Sequence, residues 1–290
     1  MNCHCGLKAV FEHPTLCKEH FCSYVEDAVL EGVRREFPEA LTAGSDVVVG
    51  VACSGGKDST VLLSVLHKLD IAVIALAIDE GIPGYRDVTL TFLQEFCATR
   101  GITLQVRVAP RPLSTLTTLL GKSPCTVCGI FRRHLLNEGG PGISCIATGH
   151  NLDDELQSML LNVALGQSEQ NARLLPRKYS ALKRIKPLRM VAEKAILAYA
   201  VLTGITPPYI ECPHASGSLR WSIRDLMTAL EEQEPGAKLR LHAFLEEERV
   251  NDGPAALSPV GHGICAQCGQ PSSQESCAYC EAMREVMAHG

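Results

Sequence analysis

The stretch Val47-Val-Val-Gly-Val-Ala-Cys53-Ser-Gly-Gly-Lys-Asp-Ser59 decides the fold of this chain. Its apolar first half is typical of a strand buried on both faces, and its second half predicts a tight turn that leads into an apolar helix. Glycines let backbone N–H groups approach an anion, and a helix N-terminus adds partial positive charge. The stretch therefore predicts a phosphate-binding unit, with a plain strand–turn–helix connection as the alternative. The spacing is not that of a Walker loop.

Strands and helices alternate outward from this unit. Strands are predicted at Val47–Ala52, Ala72–Ile78, Thr103–Val108 and Ser144–Ala147, each followed by an amphipathic segment. This alternation is typical of an α/β fold with a parallel sheet covered on both faces. Helical spacing of apolar residues also predicts a helix at about 25–43 and helical structure at 217–250.

The composition places the chain in the cytosol. No apolar run is long enough to span a bilayer, and the first residues lack the pattern of a signal peptide. Cytosolic thiols are kept reduced, so the 14 cysteines indicate metal binding or catalysis rather than disulfides. Cys53, Cys97 and Cys145 fall within predicted elements and are interpreted as buried structural thiols. The net charge of −5 means that any contact with RNA requires a local basic surface.

Cysteine pairs at both ends of the chain have the spacing of zinc sites. Two Cys-x-x-Cys pairs, eight residues apart, predict a four-thiolate site with the ligands Cys265, Cys268, Cys277 and Cys280. The ligands predicted near the N-terminus are Cys3, Cys5, Cys17 and His20. There, His4 or Cys22 are alternatives for one ligand. Zinc would fold segments that are too short to form a core of their own.

Cys125 and Cys128 form a third pair in the middle of the chain. Their spacing alone does not distinguish a redox disulfide from half of a metal site. Asp153 and Asp154, after the fourth predicted strand, suit either Mg²⁺ or the first turn of a helix. Ligands of parallel sheets lie outside the carboxyl ends of the strands, so we expect Asp79, Gly149 and Asp154, which all follow predicted strands, to converge with the 54–59 loop.

Ser54-Gly-Gly-Lys-Asp-Ser59 resembles the pyrophosphate loop of the N-type ATP pyrophosphatases, which bind ATP on a Rossmann-like sheet and adenylate a substrate oxygen. Further stretches resemble one branch, the TtuA/NcsA-type tRNA 2-thiolation proteins of the TtcA/TtuA family. These are Asp79-Glu-Gly-Ile-Pro-Gly-Tyr-Arg86, Pro124-Cys-Thr-Val-Cys-Gly129, Thr148-Gly-His-Asn-Leu-Asp-Asp-Glu155 and Tyr209-Ile-Glu-Cys-Pro213. The similarity covers nearly the whole chain. One departure is that a single residue, rather than two, separates the first two cysteines.

The resemblance implies a tRNA sulfurtransferase that uses ATP and Mg²⁺ and forms AMP and pyrophosphate. In the family, three cysteines hold a [4Fe-4S] cluster and leave one iron without a protein ligand; a persulfide on one cysteine is the rival chemistry. The implied catalytic residues are Cys125, Cys128 and Cys212, which would hold the cluster, with Asp154 and Arg132. The implied nucleotide contacts are Ala52, Cys53, Ser54, Gly55, Gly56, Lys57, Asp58, Ser59, Ile78, Asp79, Arg132 and Gly149.

The resemblance also implies an organisation and a set of partners. The expected segments are an N-terminal zinc module at 1–24, an ATP pyrophosphatase domain at 25–215, a helical segment at 216–258 and a C-terminal zinc module at 259–290. The expected cofactors besides ATP, Mg²⁺ and the cluster are two Zn²⁺ ions. The partners are tRNA and a sulfur donor, either a ubiquitin-like carrier with a C-terminal thiocarboxylate or free sulfide. The family suggests a homodimer.

One basic stretch could contact the tRNA. It contains no acidic residue and carries Tyr179 among the basic residues Arg173, Arg177, Lys178, Lys183, Arg184, Lys186 and Arg189. In a net-acidic chain such a stretch suits phosphates, although a solvated charged face is the alternative.

Two targets are open within the family: the wobble uridine and the ribothymidine of the T-loop. The T-loop enzymes belong to thermophiles, and 20% charged residues is not the enrichment expected of a hyperthermophile, which favours the wobble uridine. Two other hypotheses are an adenylating amidotransferase-like ligase and a non-catalytic, zinc-dependent RNA-binding scaffold. Iron in an anaerobic preparation would argue against the ligase, and AMP release on adding tRNA would argue against the scaffold.

Overall fold

A five-stranded parallel sheet forms the centre of the computed structural model, which describes residues 1–42, 44–167, 182–214, 219–251 and 263–288. The strands of this sheet are β3 (Val49–Ala52), β4 (Val73–Asp79), β5 (Thr103–Val108), β6 (Cys145–Thr148) and β7 (Lys183–Ile185). Two further pairs form separate two-stranded sheets: β1 (Phe11–Glu12) with β2 (Thr15–Leu16), and β8 (Gly263–Ile264) with β9 (Pro271–Ser272). The prediction of an α/β fold is confirmed, and the four predicted strands correspond to β3, β4, β5 and β6. The short edge strand β7 was not predicted.

The order of the strands in the main sheet is β5-β4-β3-β6-β7. In β3 the residue Val49 lies opposite Val73 of β4 on one side and Cys145 of β6 on the other. From β3 the chain first builds outward through β4 and β5, and then crosses to add β6 and β7 on the opposite side. The reversal leaves a crevice at the carboxyl ends of β3 and β6, which is where ligands bind to such sheets.

Helices cover both faces of the sheet. They are α1 (Lys18–Glu36), α2 (Lys57–Lys68), α3 (Arg86–Ala98), α4 (Leu113–Leu120), α5 (Pro124–Asn137), α6 (Leu152–Ala164), α7 (Glu193–Thr203), α8 (Leu219–Gln233), α9 (Ala237–Asn251) and α10 (Ala278–Ala288). Helices α1, α2, α3 and α7 contribute to the main apolar core, whereas Leu135 and Leu136 of α5 pack with Leu76 and Ile146 in a separate cluster. No helix in the described part of the chain is long and apolar enough to cross a membrane.

The helix predicted at about 25–43 is wrong at both ends. Helix α1 starts at Lys18, inside the expected zinc module, and stops at Glu36; a separate 3₁₀ turn then covers Pro38–Leu41. Pro38 ends the helix because a residue before proline avoids helical geometry. The start of α1 was not recognised because the stretch before residue 25 is rich in cysteine and histidine and lacks a clear apolar periodicity. The apolar stripe that prompted the prediction does lie in the core, since Val25, Val29 and Val33 are buried.

Helices α8 and α10, which follow the last strand of the main sheet, pack against helices of the sheet domain. Ile223 and Met227 of α8 are buried against Leu152 and Leu156 of α6. Helix α10 packs against α4 and α5, where it buries Ala282 and Val286 in a cluster that also contains Val127 and Phe131. Both segments therefore contact helices that begin near the carboxyl edge of the sheet.

Candidate functional site

A cavity of about 240 Å³ lies at the carboxyl ends of β3, β4 and β6. Eight residues with a predicted nucleotide contact line it: Ala52, Cys53, Ser54, Asp58, Ser59, Ile78, Arg132 and Gly149. The remaining lining residues are Leu76, Glu80, Arg86, Leu136, Thr148 and His150. Gly55, Gly56 and Lys57 belong to the loop but not to the lining. Asp79 also lies outside it, and its Oδ1 accepts a hydrogen bond of 2.8 Å from the backbone N–H of Gly81.

The loop before α2 is built for close backbone approach. Gly55 has a φ of +82°, and a Cβ at this position would lie 2.7 Å from the backbone oxygen of Thr89, so only glycine fits. The hydroxyl of Ser59 accepts a hydrogen bond from the Ser54 N–H at 3.2 Å, which closes the turn. Gly56 is the N-cap of α2 and no side chain caps this helix, so its N-terminal dipole points at the loop. This arrangement suits an anion such as a phosphate.

Lys57 is held by two carboxylates at the edge of the cavity. Its Nζ lies 2.7 Å from Oε1 of Glu193 and 3.2 Å from Oδ2 of Asp58. Burial alone would lower the pKa of Lys57, but the two carboxylates raise it above its usual value. Burial raises the pKa of Asp58, opposed by the lysine charge. Lys57 therefore stays cationic, and incoming phosphates would compete with Glu193 for it.

The adjacent acids Asp153 and Asp154 have structural contacts. Buried Asp153 accepts a hydrogen bond of 2.7 Å from the backbone N–H of Glu193 and pairs with Lys238. Asp154 forms a capping box with Asn151 at the start of α6, with reciprocal hydrogen bonds of 3.1 and 3.0 Å. Burial raises the pKa of Asp154, opposed by the Asn151 N–H. These contacts are those of the helix-start alternative; the catalytic role of Asp154 stays a prediction.

Glu80 was missed as a functional residue, and it links the loop to the cysteine pair. Its side chain is 1% exposed; Oε2 lies 2.7 Å from Nε of Arg86, and Oε1 lies 2.8 Å from Nε of Arg132. Arg86 in turn donates a hydrogen bond of 2.9 Å to the backbone oxygen of Ser54. The signal was present in the sequence as a second acid directly after a buried strand, but only Asp79 was assigned.

The three cysteines predicted to hold a cluster lie on one side of the molecule, next to the cavity. Cys125 and Cys128 lie one turn apart at the start of α5, and Cys128 packs against the same apolar cluster as Cys212. The exposed thiol of Cys125 lies 3.4 Å from the backbone oxygen of His214, two residues after Cys212. Burial raises the pKa of Cys128, opposed by Arg132, while the charge of Cys212 raises it further. Unlike the two terminal cysteine groups, these three thiols do not all lie within 4.8 Å of one another. Thiolates are the ligands of iron–sulfur clusters, and the exposed Cys125 leaves this site open to solvent.

Arg132 connects this cysteine site to the cavity. It lines the cavity, and one of its terminal guanidinium nitrogens lies 3.1 Å from Sγ of Cys128, one turn earlier on α5. The side chain of Arg132 therefore contacts both the cavity and the cysteine site.

The two terminal cysteine clusters each have the geometry of a metal site. In each, four ligand atoms lie within 4.8 Å of one another; the groups are Cys3, Cys5, Cys17 and His20, and Cys265, Cys268, Cys277 and Cys280. The Cys3 thiol lies 3.2 Å from Nδ1 of His20, and the Cys5 and Cys17 thiols lie 3.7 Å apart. Cys22 lies outside the N-terminal group. The donor sets, Cys₃His and Cys₄, are those of structural zinc sites.

The three cysteines interpreted as structural are all buried. Burial raises the pKa of Cys97 to about 11 and that of Cys145 to about 12, and it also raises the pKa of Cys53. Such thiols are poor nucleophiles and poor metal ligands at neutral pH. Cys53 also lines the cavity, so it can pack against a bound nucleotide without reacting.

The basic stretch predicted to contact tRNA is only partly described. Arg173, Arg177, Lys178 and Tyr179 lie outside the described residues. In the described part, Lys186 pairs with Glu155 at 2.7 Å, and Arg189 pairs with Glu36 at 3.6 Å and Glu246 at 3.0 Å. Lys186 and Arg189 therefore stabilise contacts between the sheet domain and its flanking helices.

Comparisons with known proteins agree with this geometry. A family described as PP-loop domain matches residues 30–211. The tRNA-5-methyluridine(54) 2-sulfurtransferase of Pyrococcus horikoshii is 32% identical over 281 residues, which cover 92% of this chain and 86% of that protein. The cytoplasmic tRNA 2-thiolation protein 1 of Bos taurus is 34% identical and covers 96% and 85%. The solved structure of the U34-tRNA thiolase NcsA from Methanococcus maripaludis with its [4Fe-4S] cluster matches with a TM-score of 0.76 at 28% identity, over 85% of this chain and 87% of that one.

Proposed function

This chain belongs to the PP-loop family of TtuA/NcsA-type tRNA 2-thiolation proteins, and we propose that it is an ATP-dependent tRNA sulfurtransferase that replaces the 2-oxygen of a uridine with sulfur. One observation carries the proposal: Arg132 lines the nucleotide cavity and also contacts Cys128 of the three-cysteine site. An adenylating ligase or a binding scaffold has no need for three cysteines beside its nucleotide site.

The first step of the proposed reaction is adenylation. ATP occupies the cavity with its phosphates at the 54–59 loop and the N-terminus of α2, and Asp58 is the proposed Mg²⁺ ligand. The uridine 2-oxygen attacks the α-phosphate and pyrophosphate leaves. Arg132 is positioned to stabilise negative charge that develops on the α-phosphate. Lys57 exchanges Glu193 for the departing phosphates.

The second step is sulfur transfer. When bound by Cys125, Cys128 and Cys212, a [4Fe-4S] cluster supplies an iron that has no protein ligand and can hold the sulfur to be transferred. Sulfur replaces the adenylated oxygen at carbon 2 of the base, and AMP leaves. Adenylation turns the oxygen into a good leaving group, so both steps require the same position of the base. Asp154 is the proposed acid–base residue, and burial raises its pKa above the usual value of an aspartate carboxyl.

We assign the catalytic domain to residues 25–215, with a helical segment at 216–258. The zinc modules at 1–24 and 259–290 frame this domain, and each holds one Zn²⁺. The sulfur donor in this proposal is a thiocarboxylate carrier or free sulfide, and the enzyme works as a cytoplasmic homodimer.

The proposed target is the wobble uridine, U34. The 20% content of charged residues is not that of a hyperthermophile, and the solved relative is named for U34. T-loop thiolation is the second candidate, favoured by the 32% identity to the Pyrococcus horikoshii enzyme, which is named for position 54. Mass spectrometry of nucleosides from treated tRNA separates the two, because the T-loop product carries a 5-methyl group and lies in a different fragment of the tRNA.

The proposal is tested with anaerobically purified protein, unmodified tRNA, ATP and sulfide. We expect 2-thiouridine and AMP to form in equal amounts with the wild type. Cys212→Ala should abolish thiolation and leave the Kd for ATP unchanged, because Cys212 lies outside the cavity lining. Cys22→Ala, outside both the three-cysteine site and the N-terminal metal group, is the matched control and should keep full activity. Undiminished thiolation by Cys212→Ala would refute the role of the three-cysteine site.

A further inference from the structure

We infer that Glu80 is the positioning residue of the active site, and that it acts by fixing the guanidinium of Arg132 between the nucleotide cavity and Cys128. This inference rests on the proposed function and gives a role to a buried carboxylate that was not among the predicted site residues. Glu80 and its two arginine partners differ in burial. Glu80 is 1% exposed and Arg86 is 3% exposed, whereas the side chain of Arg132 is 42% exposed.

The side chain of Arg132 is 42% exposed, so packing restricts it less than it restricts the buried side chains of Glu80 and Arg86. Its long side chain has several rotamers of similar energy, and ordering it has an entropic cost. Among the described residues, Glu80 is the carboxylate that pairs with Arg132, and the contact of 2.8 Å is charge-assisted. Because Glu80 cannot itself move into solvent, it determines the direction in which the guanidinium of Arg132 points.

Glu80 is itself anchored by a second arginine. Arg86 contacts Oε2 of Glu80 through Nε and one terminal nitrogen. Its other terminal nitrogen donates a hydrogen bond to the backbone oxygen of Ser54. The chain of contacts therefore runs from the phosphate loop through Arg86 and Glu80 to Arg132 and ends at Cys128. Glu80 directly follows β4, Arg86 begins α3, and Arg132 and Cys128 lie on α5, so these contacts connect the ATP loop to the cysteine site.

The net charge of Glu80, Arg86 and Arg132 also suits their position in the cavity wall. A buried carboxylate is stable only when its charge is compensated, and here two arginines compensate one carboxylate. The group keeps a net charge of +1 at the wall of a cavity that is proposed to receive phosphates. Neutralising Glu80 would raise that charge while loosening Arg132, and these two changes have opposite effects on ATP affinity. We therefore expect Glu80 to affect the reaction step more than nucleotide binding.

The test is a double-mutant cycle with Glu80→Gln, Arg132→Gln and the combined variant. We expect Glu80→Gln to lower kcat for thiolation at least tenfold in the wild-type background and less than twofold when Arg132 is already replaced. Calorimetry on the cluster-free proteins should show that Glu80→Gln binds one ATP per chain with a Kd within threefold of wild type. Glu138→Gln, at the C-cap of α5 and paired with Arg107 and His134, is the control and should keep its kcat.

Three results would contradict these expectations. Equal fold losses in both backgrounds would show that Glu80 acts independently of Arg132 and would overturn the inference. A loss of ATP sites in proportion to the loss of kcat would also overturn it, because the role would then be structural. An inactive wild type that forms no thiolated nucleoside would instead refute the proposed function.

Discussion

Replacing Gly149 with alanine tests whether the cavity depends on close packing between β6 and α2. A Cβ at Gly149 would lie 2.8 Å from the backbone nitrogen and 3.0 Å from the Cα of Ser59, and 3.1 Å from the carbonyl carbon of Asp58. All three are backbone atoms, so no side chain can rotate away. An ordinary contact starts near 3.4 Å, and the start of α2 must therefore move by about 0.6 Å.

The cost of this movement follows from the behaviour of packed interiors, in which overpacking costs about 1–3 kcal/mol. If the strain remains in the fold, Gly149→Ala lowers the free energy of unfolding by that amount. If the loop moves instead, the same energy is lost from ATP binding, and about 1.4 kcal/mol for each factor of ten makes the Kd roughly 5- to 150-fold weaker. The two losses together should equal about 1–3 kcal/mol.

Urea denaturation measures the first quantity, and titration calorimetry with ATP measures the second. Gly263→Ala is the matched control, because no atom lies within 4 Å of a Cβ there and its φ is not positive. It should change neither quantity. If Gly149→Ala left the unfolding free energy within 0.5 kcal/mol and the ATP affinity within twofold, both figures being about the size of ordinary surface effects, the close approach of β6 and α2 would not control the site.

Two further predictions concern pH and metal. Burial lowers the pKa of His150 below its usual 6.5, so the unfolded state takes up a proton first and stability falls as the pH drops through 6.5 towards the folded pKa. His150→Asn should flatten this fall in unfolding free energy between about pH 5 and 7, and an unchanged slope would contradict the assignment. Cys17→Ser and Cys277→Ser should each reduce zinc from two ions per chain to one by elemental analysis; two retained ions in either variant would argue against that site.

The sheet was predictable because its signals are local. Each of β3, β4 and β6 is a short apolar run that ends in a turn, and the glycines after β3 identify the loop. The start of α1 was not predictable in the same way, because its first turn carries His20, a candidate metal ligand, in place of an apolar stripe. Edge strand β7 has three residues, two of them basic, and it forms only because β6 offers an unpaired edge.

The site was predictable where a motif carries its own chemistry. The loop and the cysteine spacings indicate their own ligands, and eight of the twelve predicted nucleotide contacts line one cavity. What could not be predicted were the partners of the charges. Nothing in the sequence indicates that Lys57 pairs with Glu193, 136 residues away, or that Asp153 is neutralised by Lys238. Such pairs depend on packing between elements, and a charge run such as 183–189 has the same sequence pattern whether it binds phosphate or a neighbouring helix.

Helix α5 connects the C-terminal cysteine module, at the far end of the sequence, to the residues beside the ATP loop. Its first turn carries Cys125 and Cys128, and its next turn carries Arg132. On the same helix, His134 is stacked against Tyr279 of the C-terminal module, with ring centroids 3.4 Å apart and planes at 7°, and its backbone oxygen accepts a hydrogen bond from Gln270. Because α5 is a single rigid element, any rotation that broke these contacts would move Cys125, Cys128 and Arg132 together relative to the ATP loop, so the C-terminal module restrains the orientation on which both proposed steps depend.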